Sequence, residues 1–213
     1  MKILNLYAGV GGNRRLWGDK HKITAVEWNK SVADCYKDLY PNDTVIVADA
    51  HQYLLDHYHE FDFIWSSPPC QSHSSIRQCF AKNYYFGGKD KPNMSGNKPI
   101  YPDMKLWQEI IFLQHHVKGG VYVVENVIPY YKPFIQPAFT LGSHHYWSNK
   151  MILDCGIDSY RGHHAPIGEL QALKQIDLSK YKFEGIDKRQ VLRNMVEPED
   201  GKYIFEQITG EKL

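Results

Sequence analysis

The sequence predicts an α/β fold, a mostly parallel sheet with helices on both faces. Three observations carry that expectation. Through the first half, short apolar runs alternate with amphipathic stretches, the pattern of repeated strand and helix units. A cluster of glycines follows the first apolar run directly, and an acidic residue closes each of the next two.

The elements follow in order. Strands are expected at 3–7, 22–27, 44–47, 61–65 and 121–125, where apolar and β-branched residues run together. Between them, 31–39 and 50–58 carry helical spacing, and Asp103 is placed to cap a longer helix whose Leu106, Trp107, Ile110, Ile111 and Phe112 face inward. This makes a Rossmann-like half. Two stretches break the rhythm: 66–102, rich in Gly, Pro, Asn and Ser, and 150–187. Helical character returns over 187–205 with Val191, Leu192, Met195 and Ile204 as apolar positions around a break at Pro198. No internal repeat or clean linker divides the 213 residues, a length suited to one main domain.

Composition excludes several classes. Hydrophobic residues at 43% and charged residues at 23% argue against disorder, and no apolar run approaches a bilayer-spanning length, so no membrane association is expected. The chain passes from Met1 straight into a strand-like run, which points to a cytoplasmic protein. Cys35, Cys70, Cys79 and Cys155 form no Cys-x-x-Cys pair. The eleven histidines match no metal-ligand spacing, and adjacent histidines on a strand face opposite ways, so no metal site is expected. A net charge of +1 requires any nucleic-acid contact to come from a local patch.

Four groups of residues carry chemistry. Tyr7, Gly9, Gly11 and Gly12 form a turn where backbone can approach a nucleotide-like ligand without side-chain obstruction. Glu27 ends the second strand, where a carboxylate would accept from both ribose hydroxyls; Trp28 beside it offers a stacking surface for adenine. Asp49 closes the third strand, suited to an adenine amino group or to capping a helix. Pro68 and Pro69 stiffen the loop after the fourth strand and set Cys70 at its mouth, while Glu125 closes another strand, so that a nucleophile and an acid can converge over one pocket. Beyond Cys70, the basic residues Arg77, Lys82, Lys89 and Lys91 are interleaved with Phe80, Tyr84, Tyr85 and Phe86, a composition suited to phosphate contact and base stacking.

In this order the segments resemble the DNA cytosine-C5 methyltransferase family: the glycine turn at 7–12, Glu27, Asp49, Pro69-Cys70-Gln71 with Ser74, Glu125-Asn126-Val127, and Arg193-Asn194-Met195-Val196 followed by Pro198 and Gly201. The resemblance spans nearly the whole chain and is to a compact member of phage or bacterial type, placed in a bacterial cell or phage-infected host. It implies the Rossmann-like methyltransferase fold and S-adenosylmethionine as cofactor, held by Tyr7, Gly9, Gly11, Gly12, Glu27, Trp28, Asp49, Ala50, Pro68, Asn194 and Val196. It also implies Cys70 and Glu125 as catalytic residues, with Gln71, Ser74, Arg77, Lys82, Lys89, Lys91 and Asn126 on the DNA. The chain then divides into a cofactor-binding and catalytic core at 1–149, a reduced target-recognition region at 150–187, and a C-terminal helical segment at 188–213 that packs back on the core.

The resemblance implies a mechanism in which Cys70 adds to C6 of a flipped-out cytosine while Glu125 holds a proton at N3. Two departures stand out. Where family members carry an arginine-rich strand, residues 141–148 offer histidines, which leaves the contact to cytosine O2 unassigned. Residues 150–187 are also too few for a separate reading domain, so selectivity would be short, relaxed or supplied by a protein partner. The same residues would serve an enzyme acting on RNA or on free or single-stranded nucleotides, or a non-catalytic adaptor that binds S-adenosylmethionine and DNA.

Overall fold

The computed structural model describes residues 1–75, 100–153 and 165–212. Its strands are β1 (Lys2–Leu6), β2 (Lys22–Val26), β3 (Thr44–Ile46), β4 (Phe63–Ser66), β5 (Val121–Val127), β6 (Phe139–Leu141) and β7 (His144–Ser148). They form one sheet in the order β3-β2-β1-β4-β5-β7-β6. The first five run parallel, and β7 is antiparallel to both β5 and β6. From β1 the chain works outward to β3, then returns to place β4 on the other side of β1. The carboxyl ends of β1 and β4 therefore flank the switch point, where open α/β sheets bind their ligands.

The helices are α1 (Lys30–Leu39), α2 (Ala50–His57), α3 (Lys105–His116), α4 (Ile167–Leu173), α5 (Lys188–Asn194) and α6 (Pro198–Thr209). Side chains alternate along each strand, so the sheet carries a separate core on each face. On one, Leu4, Leu6, Ile64 and Val124 meet Leu54 of α2 and Leu106, Trp107, Ile110 and Leu113 of α3. On the other, Ile3, Phe63, Trp65 and Val123 meet Trp17 and the α6 residues Ile204, Phe205 and Ile208.

Several boundaries differ from the sequence expectation. β5 runs two residues past Glu125, because β7 pairs with it as far as Val127 opposite His144. Asp103, the expected cap of α3, lies one residue before the observed cap position at Met104, yet its carboxylate still accepts from the Lys105 amide at 3.0 Å. Ile111 does not face inward: it is 58% exposed, and the inner face of α3 is completed by Glu109 and Leu113 instead. The 3.6-residue turn selects 106, 109, 110 and 113 as one face, so a run of three apolar residues at 110–112 must leave part of itself outside. The stretch 150–187 also holds more order than its composition suggested. Leu170 of α4, Ile176 and Leu178 share a core with Val10, Val32, Val191, Leu192 and Met195.

Candidate active site

The turn after β1 is built on unusual backbone. Tyr7 has φ +54°, followed by Gly9 at +55° and Gly11 at +79°. Left-handed conformations are cheap for glycine but uncommon for a residue with a Cβ. The turn is tied at several points: Ala8 N donates to Val26 O at 3.0 Å, Gly11 N to Ala8 O at 2.9 Å, and the Tyr40 hydroxyl to Gly11 O at 2.9 Å. At Gly12 a Cβ would fall 2.3 Å from Val196 O, which fixes how closely the segment after α5 packs on the turn. Val196 is thus beside the turn, and Asn194 is exposed at the end of α5. Space beside Gly9 is open, with no atom within 4 Å of a notional Cβ.

Glu27, directly after β2, is 7% exposed. Its Oε2 accepts from Gly9 N at 3.1 Å and its Oε1 from Asn29 N at 2.9 Å. Burial pushes this carboxyl above the usual range, opposed by those backbone donors. Trp28 presents 74% of its surface to solvent. Asp49 caps α2 through Oδ1, which accepts from His51 N at 2.8 Å and Gln52 N at 3.2 Å; Oδ2 points toward Lys105 Nζ at 3.5 Å. Ala50, the first residue of α2, is buried.

The loop after β4 carries Cys70. Pro68 is buried and its carbonyl accepts from Asn126 Nδ2 at 2.8 Å, while Ser67 N donates to Leu6 O at 3.4 Å. The Cys70 carbonyl accepts from His73 N and Ser74 N, closing a turn that includes Gln71. Ser74 bridges to Pro129, and Tyr130 N donates to His73 O. Cys70 is half-buried and free, and its thiol is pushed up to about 11, first by desolvation and second by the charge of Glu125. The two strand ends therefore bring the predicted nucleophile and acid within electrostatic reach. Glu125 is 7% exposed and lies 3.3 Å from His144 Nε2, its diagonal neighbour on β7.

Asn126 departs from its expected place on DNA. It is 1% exposed and its amide holds the Pro68 carbonyl, so it has almost no surface for a nucleic acid and instead shapes the loop of Cys70. Arg77, Lys82, Lys89 and Lys91, the basic loop expected to contact DNA, lie outside the described residues, as do Cys79 and Cys155. Of the paired histidines, His144 turns to Glu125 and His145 to Thr140 of β6, on opposite sides of β7. Among the described residues, no cluster of three or more His, Cys, Asp and Glu is arranged for a metal, and no helix is long and apolar enough to cross a membrane.

Two residues near the site were missed by sequence reasoning. Glu109 of α3 is fully buried and accepts from the Tyr7 hydroxyl and from Ser66 Oγ. Its position three residues after Leu106 and one before Ile110 was the available signal, a charge on an apolar helix face. His144 was read only as a departure from an arginine pattern, and its pairing with Glu125 required the register of β5 and β7.

A family model described as C-5 cytosine-specific DNA methylase matches residues 1–127. No curated protein matches the chain. Among solved structures, a mutant of Spodoptera frugiperda DNMT2 is 23% identical with a TM-score of 0.38, covering 59% of this chain and 35% of that one. Entamoeba histolytica methyltransferase EhMeth is 13% identical with a TM-score of 0.36, covering 60% and 38%. A type I restriction-modification methyltransferase subunit from Streptococcus thermophilus is 16% identical with a TM-score of 0.36, covering 60% and 29%. The matched region is thus little more than a third of the length of these structures or less. The sheet order, with its antiparallel β7 between β5 and β6, is a Rossmann-like methyltransferase fold. With a matching model over more than half its length, the chain belongs to the C-5 cytosine-specific DNA methylase family.

Proposed function

We propose that the protein transfers a methyl group from S-adenosylmethionine to C5 of cytosine in DNA through a covalent bond between Cys70 and C6. The observation that carries this reading is the placement of Cys70 just after β4 and of Glu125 near the carboxyl end of β5, on adjacent parallel strands, with Glu125 the second cause of the raised Cys70 thiol. The glycine turn lies at the end of β1, the other neighbour of β4.

The residues present fit the cofactor. Open space beside Gly9, the exposed indole of Trp28, and Asp49 Oδ2, which takes neither cap bond, offer surfaces for a nucleoside. Glu27 keeps lone pairs beyond its backbone bonds to accept from ribose hydroxyls. When bound, S-adenosylmethionine supplies an electrophilic methyl group.

The remaining chemistry falls to the chain. Cys70, as thiolate, forms the Sγ–C6 bond, and Glu125 holds a proton at N3 as negative charge develops on the ring. C5 then has enamine character and would take the methyl as its bond to the cofactor's sulfur breaks, the sulfur leaving as a neutral thioether. Loss of the C5 proton to a base and departure of Cys70 restore the aromatic ring. The target base must leave the duplex, at a cost of a few kcal/mol. The basic loop from Arg77 is assigned the phosphates, and 150–187 the short sequence reading.

The test is transfer of tritiated methyl to duplex DNA, tRNA and dCMP in parallel, followed by bisulfite sequencing of the DNA product. Label on duplex DNA that resists bisulfite supports the proposal. Label confined to tRNA or dCMP would move the substrate class, and none on any acceptor would favour a binding role.

A further inference from the structure

The chemistry assigned to Cys70 and Glu125 leaves a second buried carboxylate unused. Glu109 has 0% exposure on a helix face otherwise made of Leu106, Trp107, Ile110 and Leu113. A helix that only had to pack would carry an apolar residue at 109, because a carboxyl taken from water is costly unless hydrogen-bonded throughout. It is so bonded here. Oε1 accepts from the Tyr7 hydroxyl and lies 2.9 Å from His51 Nδ1, and Oε2 accepts from Ser66 Oγ at 2.6 Å.

Those partners come from three segments that end at the proposed cofactor site. Tyr7 opens the glycine turn, Ser66 ends β4 four residues before Cys70, and His51 follows Asp49 and Ala50 at the start of α2. Tyr7 is also the residue held at φ +54°. A non-glycine residue keeps such a conformation only where its surroundings over-determine it. Its backbone lies between β1 and Ala8, whose amide is bound to Val26 O, and its side chain is fixed at the far end by Glu109.

We propose that Glu109 is a positioning residue for cofactor binding: by fixing the left-handed Tyr7 it pre-forms the Ala8-Gly9 backbone for the ligand, and by holding Ser66 it keeps that turn in register with the strand leading to Cys70. The inference rests on the reading of this site as one for S-adenosylmethionine. Glu109 itself touches neither cofactor nor base in this scheme.

The test compares the unaltered full chain with Tyr7→Phe, Glu109→Gln and Glu109→Leu. S-adenosylmethionine and S-adenosylhomocysteine binding are measured by calorimetry, melting temperature by calorimetric scan, and cofactor KM and kcat separately. Tyr7→Phe deletes one hydroxyl and leaves the ring, so it tests the link even if Glu109→Leu fails to fold. It is expected to weaken cofactor binding about tenfold, the scale of one hydrogen bond to a charged group. The change should fall on cofactor KM more than on kcat. Glu109→Gln, which keeps an acceptor for Tyr7, should bind the cofactor more tightly than Glu109→Leu. Unchanged affinity in Tyr7→Phe and Glu109→Gln, with only a lowered melting temperature, would reduce Glu109 to a structural residue. If the unaltered protein binds neither compound, the cofactor reading fails and the inference with it.

Discussion

Asn126 Nδ2 donates to the Pro68 carbonyl at 2.8 Å, joining the end of β5 to the loop that carries Cys70. The two residues are 58 apart in sequence, and the bond is buried. β5 therefore carries both Glu125, the proposed acid, and the residue that binds the loop two positions before Cys70.

Asn126→Ala removes this link and leaves a buried carbonyl without its donor. The expected cost is about 1–3 kcal/mol of stability. Turnover should fall further than stability alone explains, because Cys70 is no longer held in place. Chemical denaturation and single-turnover methyl transfer on the same samples check this; full activity at lowered stability would assign Asn126 a packing role only.

The Cys70 thiol, pushed up to about 11, fixes a pH dependence in the free protein. Below that value each pH unit raises the thiolate population about tenfold, so alkylation of Cys70 should climb steadily through neutral and alkaline pH. Glu125→Gln removes the charge that is the second cause of the shift, and should accelerate alkylation at fixed pH while abolishing methyl transfer. The folded state holds this proton at pH values where an unfolded thiol, with pKa about 8.5, releases it. The contribution to stability therefore falls as pH rises from about 8.5 toward the folded value. Cys70→Ser should lose nearly all turnover with cofactor binding intact, since a hydroxyl offers almost no anion near neutral pH.

Glu27→Ala should weaken S-adenosylmethionine binding by about 1–3 kcal/mol, the cost of losing hydrogen bonds to a charged partner. The same substitution frees Gly9 N and Asn29 N, so part of the loss reflects a loosened turn. Calorimetry with unchanged affinity would place the ribose elsewhere.

Lys174 and Glu197 form an ion pair at 2.6 Å, with side chains 4% and 10% exposed, and Lys174 Nζ also donates to Met195 O at 2.6 Å. This clamps the segment that packs on Gly12. Lys174→Met strands a buried carboxylate and should destabilise by about 3–5 kcal/mol, whereas Lys174→Met with Glu197→Met should recover much of that loss. Equal destabilisation by the single and double variants would show that apolar packing cannot replace the pair.

Lys89→Ala with Lys91→Ala tests the basic loop. If these residues neutralise phosphates, the slope of log affinity against log salt should flatten by about 0.9 for each phosphate left without its lysine, with similar weakening across different DNA sequences. An unchanged slope would remove the loop from the DNA interface.

What the sequence determined by itself was the local grammar. Alternating apolar runs located five strands, and the glycines after β1, the acids after β2 and β3, and the Pro-Pro-Cys after β4 marked the carboxyl edge proposed to bind the ligand, because these signals depend on neighbours a few residues apart. The family followed from their order. What only the tertiary structure decided were relations across the chain. Asn126 sits 58 residues from Pro68, Glu109 sits 102 from Tyr7, and His144 reaches Glu125 only through the antiparallel register of β7 on β5. A glutamate inside a helix reads locally as a solvated residue, and an asparagine beside a proposed catalytic acid reads as a ligand contact. Whether such a polar side chain meets water, substrate or another buried polar group depends on which element packs against it, and hydrophobic periodicity carries no information about that partner.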